Sequence, residues 1–164
     1  MPELLSDDHR AVAEILKQLL AALRNNDVQA SYAKLDLMWA RLAVHIRAEH
    51  LHLFPAVINS SAPNAESIVE QLRADHDFFM RELADAVNLL RAQPDTTSLA
   101  SILTVMVEVD NRLSTHNAIE ETKVYHWANT LLPEPQQKAL AAQIKAELEN
   151  RPSRFSRKAW ANDL

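Results

Sequence analysis

The run His45-Ile46-Arg47-Ala48-Glu49-His50-Leu51-His52-Leu53-Phe54-Pro55 has an echo in His116-Asn117-Ala118-Ile119-Glu120-Glu121-Thr122-Lys123-Val124-Tyr125-His126. At ~100° per residue, His45 and Glu49 stand one turn apart on one helix face. That face also carries Leu35, Met38, Leu42, Leu53 and Ala56, so the pair points into a core. His116 and Glu120 repeat the geometry on a stripe of Ile102, Met106, Val109, Leu113, Val124 and Trp127.

The segment before each motif shows the same design. Leu5, His9, Val12, Leu16, Leu20 and Leu23 superpose on Leu72, His76, Phe79, Leu83, Val87 and Leu90, so one histidine interrupts each aliphatic stripe. Both histidines follow an aspartate, Asp8 and Asp75, and Phe54 superposes on Tyr125. Two helix pairs of one pattern make a four-helix bundle, related by a pseudo-two-fold axis.

Helix punctuation agrees with this repeat. The first helix is expected from Leu4 or Ser6 to Arg24, with Ser6, Asp7 and Asp8 supplying capping oxygens. The second spans about 28–58, with Pro55 kinking or ending it, and Asn59 to Asn64 reads as a loop. The third spans about 65–92 and the fourth about 97–131, stopped by Pro133 and Pro135. A shorter fifth helix, about 135–149, precedes a tail with Arg154, Phe155, Arg157, Lys158 and Trp160. The expected organisation is a bundle over 1–132, then an extra helix and basic tail over 133–164.

Composition supports an all-α chain of one domain, 164 residues long. Glycine is absent, against ordinary usage of about 7%, which argues against a hairpin-rich β fold. A net charge of −5 speaks against general attraction to nucleic acid or an anionic membrane. With no cysteine, disulfides, zinc–thiolate sites and thiol chemistry are excluded. Neither a signal-peptide pattern nor an apolar run of ~18 residues occurs, so a cytoplasmic protein is expected.

Six ionisable side chains, His9, His45, Glu49, His76, His116 and Glu120, thus converge on an apolar interior. A lone carboxylate costs several kcal/mol there, and imidazoles need partners too. Two glutamates and four neutral histidines offer the mixed O and N donors suited to iron, manganese or zinc, and each carboxylate has two oxygens with which to bridge a metal pair. One His-x-x-x-Glu alone is an ordinary i, i+4 polar pair. A lone His followed by His-x-x-x-Glu, twice in that order, points to a dinuclear site.

The order of these motifs, with Leu53-Phe54-Pro55 closing the first, resembles the hemerythrin-like HHE cation-binding family over about residues 4–131. The resemblance implies an antiparallel up-down bundle with a non-haem di-iron centre. It implies bridging roles for Glu49 and Glu120, with His9 and His45 serving one iron and His76 and His116 the other. The corresponding function is binding or redox sensing of dioxygen, nitric oxide or peroxide, or buffering of iron. The alternatives are a di-iron enzyme acting on peroxide or dioxygen, and a metal-free helical scaffold. Oxygen-carrying hemerythrins have a further histidine where this chain has Met80, and His-x-x-x-x-Asp where it has His116-x-x-x-Glu120. Reversible oxygen carriage of that kind is not expected. Ferritin-like di-iron bundles use Glu-x-x-His, which is absent here in bundle-facing register.

The remaining polar and aromatic residues have plainer expectations. His52 belongs at the polar edge of its face, like its counterpart Lys123. His50, Glu121 and His126 fall away into solvent, Glu121 approaching a metal only if the helix is locally rewound. Tyr125 and Phe54 point away from the metal and pack under the fifth helix or a loop. Met38, Met80 and Met106 fill the core, and the basic tail lies along the protein's own surface or meets an acidic partner.

Overall fold

The computed structural model describes residues 2–150, so the basic tail lies outside the described residues. The elements are α1 (Pro2–Arg24), α2 (Val28–Ala48), a first π turn (Glu49–Leu53), α3 (Phe54–Asn59), α4 (Ala65–Arg91), α5 (Thr96–Ile119), a second π turn (Glu120–Val124), α6 (Tyr125–Thr130) and α7 (Glu134–Glu149). Among the described residues there is no strand. No helix there is long and apolar enough to cross a membrane. Each π turn runs unbroken into the helices on either side, so α2 with α3 and α5 with α6 form two continuous rods. With α1 and α4 they close a square in which α1 and α4 each pack on both α2 and α5, while α7 lies against α2 and the first π turn. Short connections make consecutive rods antiparallel.

Without glycine, the connections place Asn26, Ser61, Asn64 and Gln93 in the left-handed region, at φ of 55°, 63°, 57° and 53°. Asparagine tolerates that region better than most residues. Asp27 and Asp95 then cap the helices that follow, accepting from the Ala30 N–H at 3.0 Å and the Ser98 N–H at 2.8 Å. Such a cap is worth about 1 kcal/mol.

Two expectations about helix ends are corrected. Ser6, Asp7 and Asp8 cap nothing, because α1 already begins at Pro2 and all three lie inside it. Pro55 does not end its helix, which continues to Asn59. The proline falls in the first turn after the π turn, a position where its fixed φ and missing N–H are tolerated.

The core forms in two tiers. One apolar cluster includes Val12 and Leu16 of α1, Leu35 and Leu42 of α2, Phe79 and Leu83 of α4, and Ile102 and Met106 of α5. The other includes Leu5, Leu53, Phe54, Leu72 and Val124, with Leu140 and Ile144 of α7. Apart from Ser31 near the start of α2, the buried polar residues fall between the tiers: Asp8 and His9 between Leu5 and Val12, His76 between Leu72 and Phe79, His45 and Glu49 between Leu42 and Leu53, and His116 and Glu120 between Leu113 and Val124. The fold therefore encloses one polar layer between two hydrophobic ones.

Candidate metal centre

All six residues singled out by the motifs meet in that layer, none more than 6% exposed. Glu120 is at its middle: its Oε2 lies 3.0 Å from His9 Nε2, while its Oε1 lies 2.8 Å from His116 Nε2 and 3.3 Å from His76 Nε2. Glu49 Oε1 stands 3.2 Å from His45 Nε2 and 3.5 Å from His76 Nε2. Two sets of donors emerge, His9 with His45 and His76 with His116, each able to share Glu120, and within each set the atoms lie within 4.8 Å of one another.

The donors fit a metal cation better than they fit one another. Glu49 Oε1 and Glu120 Oε1 are buried and accept no well-directed hydrogen bond, although imidazole nitrogens surround them at ion-pair distance. His76 Nε2 and His116 Nε2 face each other at 3.0 Å. Two ring nitrogens this close need a proton or a cation between them, and an O and N donor set of this kind suits a first-row transition metal.

The outer nitrogens explain how the rings are held. Nδ1 of His45 lies 2.9 Å from Asp8 Oδ2, and Nδ1 of His116 lies 3.1 Å from Asp75 Oδ2. A carboxylate only accepts, so each Nδ1 carries the hydrogen and each Nε2 is free for a metal. The second oxygen of each aspartate accepts from an arginine, Arg41 Nε to Asp8 Oδ1 at 2.6 Å and Arg112 to Asp75 Oδ1 at 2.9 Å. Sequence reasoning took Asp8 for a capping residue and missed this role. A signal existed: Asp-His occurs at both single histidines, and Arg41 and Arg112 each precede the motif histidine by one turn.

The other two rings overturn expectations. His9 Nδ1 bonds Glu121 Oε1 at 3.0 Å, and His76 Nδ1 meets His50 Nε2 at 2.8 Å, so neither Glu121 nor His50 simply faces solvent. Tyr125 does not point away: its Oη lies 3.0 Å from His9 Nε2, 3.1 Å from Glu49 Oε2 and 3.3 Å from Glu120 Oε2. Phe54 stacks on His76, centroids 5.9 Å apart and planes 8° from parallel. The cause is the pair of π turns, in which the N–H of Phe54 bonds the carbonyl of Glu49 and that of Tyr125 bonds the carbonyl of Glu120. One extra residue per turn stacks i+5 over i and defeats a projection at ~100° per residue. His126 is exposed and Met80 buried, both as expected. His52 keeps its edge position, meeting Glu147 of α7 at 3.1 Å.

Without metal, protons balance the charge. Burial disfavours the imidazolium of His116, but Glu120 and Asp75 outweigh it and raise the ring to about 9. Burial likewise opposes the charge on His45, yet Glu49 and Asp8 hold its pKa well above the usual histidine range. Burial would raise Glu120, but His116, His76 and His9 keep it well below the usual carboxylate range. Burial and then the two glutamates push the Tyr125 phenol well above its ordinary value, so it stays neutral. His50 is lowered to about 3, by burial first and then by His76 and Arg73. A cation entering this layer would displace protons from the rings it takes.

No curated protein and no solved structure matches the chain. The Hemerythrin HHE cation binding domain family matches residues 1–128, a span that takes in both His-x-x-x-Glu motifs and both single histidines. HHE domains bind metal cations, and the bundle encloses two His/Glu groups able to hold them. The chain belongs to the hemerythrin HHE cation-binding domain family.

Proposed function

We propose that the chain holds two iron ions, His9 and His45 serving one and His76 and His116 the other, bridged by Glu49 and Glu120. The pair binds or senses dioxygen, nitric oxide or peroxide. One observation carries this reading: the two oxygens of Glu120 face opposite histidine sets, 3.0 Å from His9 Nε2 and 2.8 Å from His116 Nε2. A single closed site would leave one set unused.

When bound, the iron pair supplies reversible redox change and exchangeable positions for a small ligand. The chain does the rest. Asp8 and Asp75 fix the tautomers of His45 and His116, and the two apolar tiers keep bulk water from the layer. Between α1 and α5, a groove of about 300 Å³ lined by His9, Ala13, Ala118 and Glu121 gives a diatomic molecule or peroxide a route to the His9 side. Met80 and His116-x-x-x-Glu120 depart from the oxygen carriers and favour sensing or reactivity over stable carriage.

Metal analysis of protein purified aerobically with iron present should return two irons per chain, and one ion or none would sink the reading. The groove also favours a second reading, a peroxide-consuming enzyme, because it admits substrate. Steady-state peroxide turnover separates the two: a sensor binds and changes its spectrum without sustained consumption.

A further inference from the structure

Resting on the metal-pair reading, we propose that Tyr125 Oη is itself a ligand of the ion held by His9 and His45, so that the two metal positions are chemically unlike. Oη lies 3.0 Å from His9 Nε2, 3.5 Å from His45 Nε2, 3.1 Å from Glu49 Oε2 and 3.3 Å from Glu120 Oε2. All four are atoms assigned to that ion or its bridges. Oxygen and nitrogen donors each about 2.1 Å from one cation lie roughly 3.0–3.5 Å apart. Tyr125 Oη is therefore close enough to these atoms to hold a cation together with them.

Hydrogen bonding alone accounts poorly for this crowding. A phenol has one hydrogen to donate, yet two carboxylate oxygens lie within reach of it. If Glu49 Oε2 takes the hydrogen, Glu120 Oε2 still has His9 Nε2 at 3.0 Å but also faces a phenol lone pair at 3.3 Å inside a buried layer. Coordination removes the conflict: the O–H bond breaks, its proton passes to solvent, and the oxygen donates an electron pair to the cation with no change of oxidation state. Because Tyr125 follows the second π turn directly, it stacks one turn over Glu120 and faces the same way. At the pseudo-symmetric place stands Phe54, packed flat on His76 and with no atom to donate. The ion at His76 and His116 therefore lacks this ligand, which makes the two positions unlike.

The experiment is visible absorption and resonance Raman spectroscopy of the ferric protein, wild type beside Tyr125→Phe and Tyr32→Phe, with iron counted in each. Tyrosine occurs only at 32 and 125, and Tyr32 bonds Arg91 far from the centre. The expected result is a phenolate-to-iron charge-transfer band with phenolate ring modes, unchanged in Tyr32→Phe and wholly lost in Tyr125→Phe, which keeps two irons. Should Tyr125→Phe fail to fold, ring-deuterated tyrosine in Tyr32→Phe must shift those modes, because Tyr125 is then the sole source. Two irons with no phenolate signature in the wild type would overturn the proposal and leave the metal pair standing. A signature surviving in folded Tyr125→Phe would overturn it too. Protein that takes up no iron would overturn the metal reading itself, and this inference with it.

Discussion

Raising the pH of the metal-free protein should loosen it well before the chain's ordinary alkaline limit. His116, buried against Glu120 and Asp75, has its pKa raised from 6.5 to about 9. A group raised on folding contributes stability that is complete below its unfolded pKa and lost as pH climbs through the folded one. The window is therefore pH 6.5 to about 9. At 1.36 kcal/mol per pH unit, the loss is on the order of 3 kcal/mol. His45 shifts in the same direction and adds to it. For a domain of this size, each kcal/mol moves Tm by about 2–4 °C, so melting should fall by roughly 6–12 °C across the window. With metal bound, the imidazoles are already neutral and the same scan should be nearly flat. Melts followed by circular dichroism, with chelator and with iron, measure both curves. A flat curve for the metal-free protein would refute the reasoning, because it would mean that no imidazolium is held in the layer.

Four further outcomes follow from the same geometry. Glu120→Ala should lose both ions by metal analysis, since both sets share its carboxylate, whereas His9→Ala should preferentially lose one. Asp8→Ala frees the outer nitrogen of His45, and competition against a chelator should show metal affinity about 10–100-fold weaker. Met80→His puts a polar ring in the apolar tier one turn from His76. It should cost the metal-free protein about 1–3 kcal/mol, a loss recovered on loading only if the ring reaches the ion. Ile144→Ala, at a fully buried site of α7, should cost about 2–5 kcal/mol in urea denaturation, and a smaller loss would mean that α7 contributes little to the lower tier.

The bundle was legible because a 3.6-residue period leaves a continuous stripe: the apolar stripe residues of α1, from Leu5 to Leu23, and of α4, from Leu72 to Leu90, are all buried, while Ala56 and Trp127, beyond the π turns, are half-buried. The six candidate ligands were legible as ionisable residues at stripe positions where burial is expensive without a partner. What escaped was the neighbourhood of each ring. The π turns leave no local signature in Glu49–Leu53 or Glu120–Val124, and a fixed rotation per residue sends His50, Glu121 and Tyr125 outward. Pro55 was misjudged because the helix boundary it punctuates is the restart after a π turn rather than a true end. Asp8 was misjudged because an acid near a helix start has an ordinary explanation, and only the distance to His45 reveals the other one.

The two halves differ chemically at a few positions only. Positions on regular helix are kept in kind: His9 and His76, Asp8 and Asp75, Arg41 and Arg112, His45 and His116. In and just after the π turns, the bridging candidates Glu49 and Glu120 are kept, but three neighbours change character: His50 against Glu121, His52 against Lys123, Phe54 against Tyr125. Regular helix sets the backbone spacing of the rings, so a change there would spoil both donor sets alike. A π turn points an additional residue at the outer nitrogen of a ring already in place, which lets one half change its chemistry without moving the other. Glu121 gives His9 a carboxylate partner that strengthens the ring as a donor, while His50, kept neutral, gives His76 a weaker one. The two π turns are thus where a symmetric scaffold acquires two unlike sides.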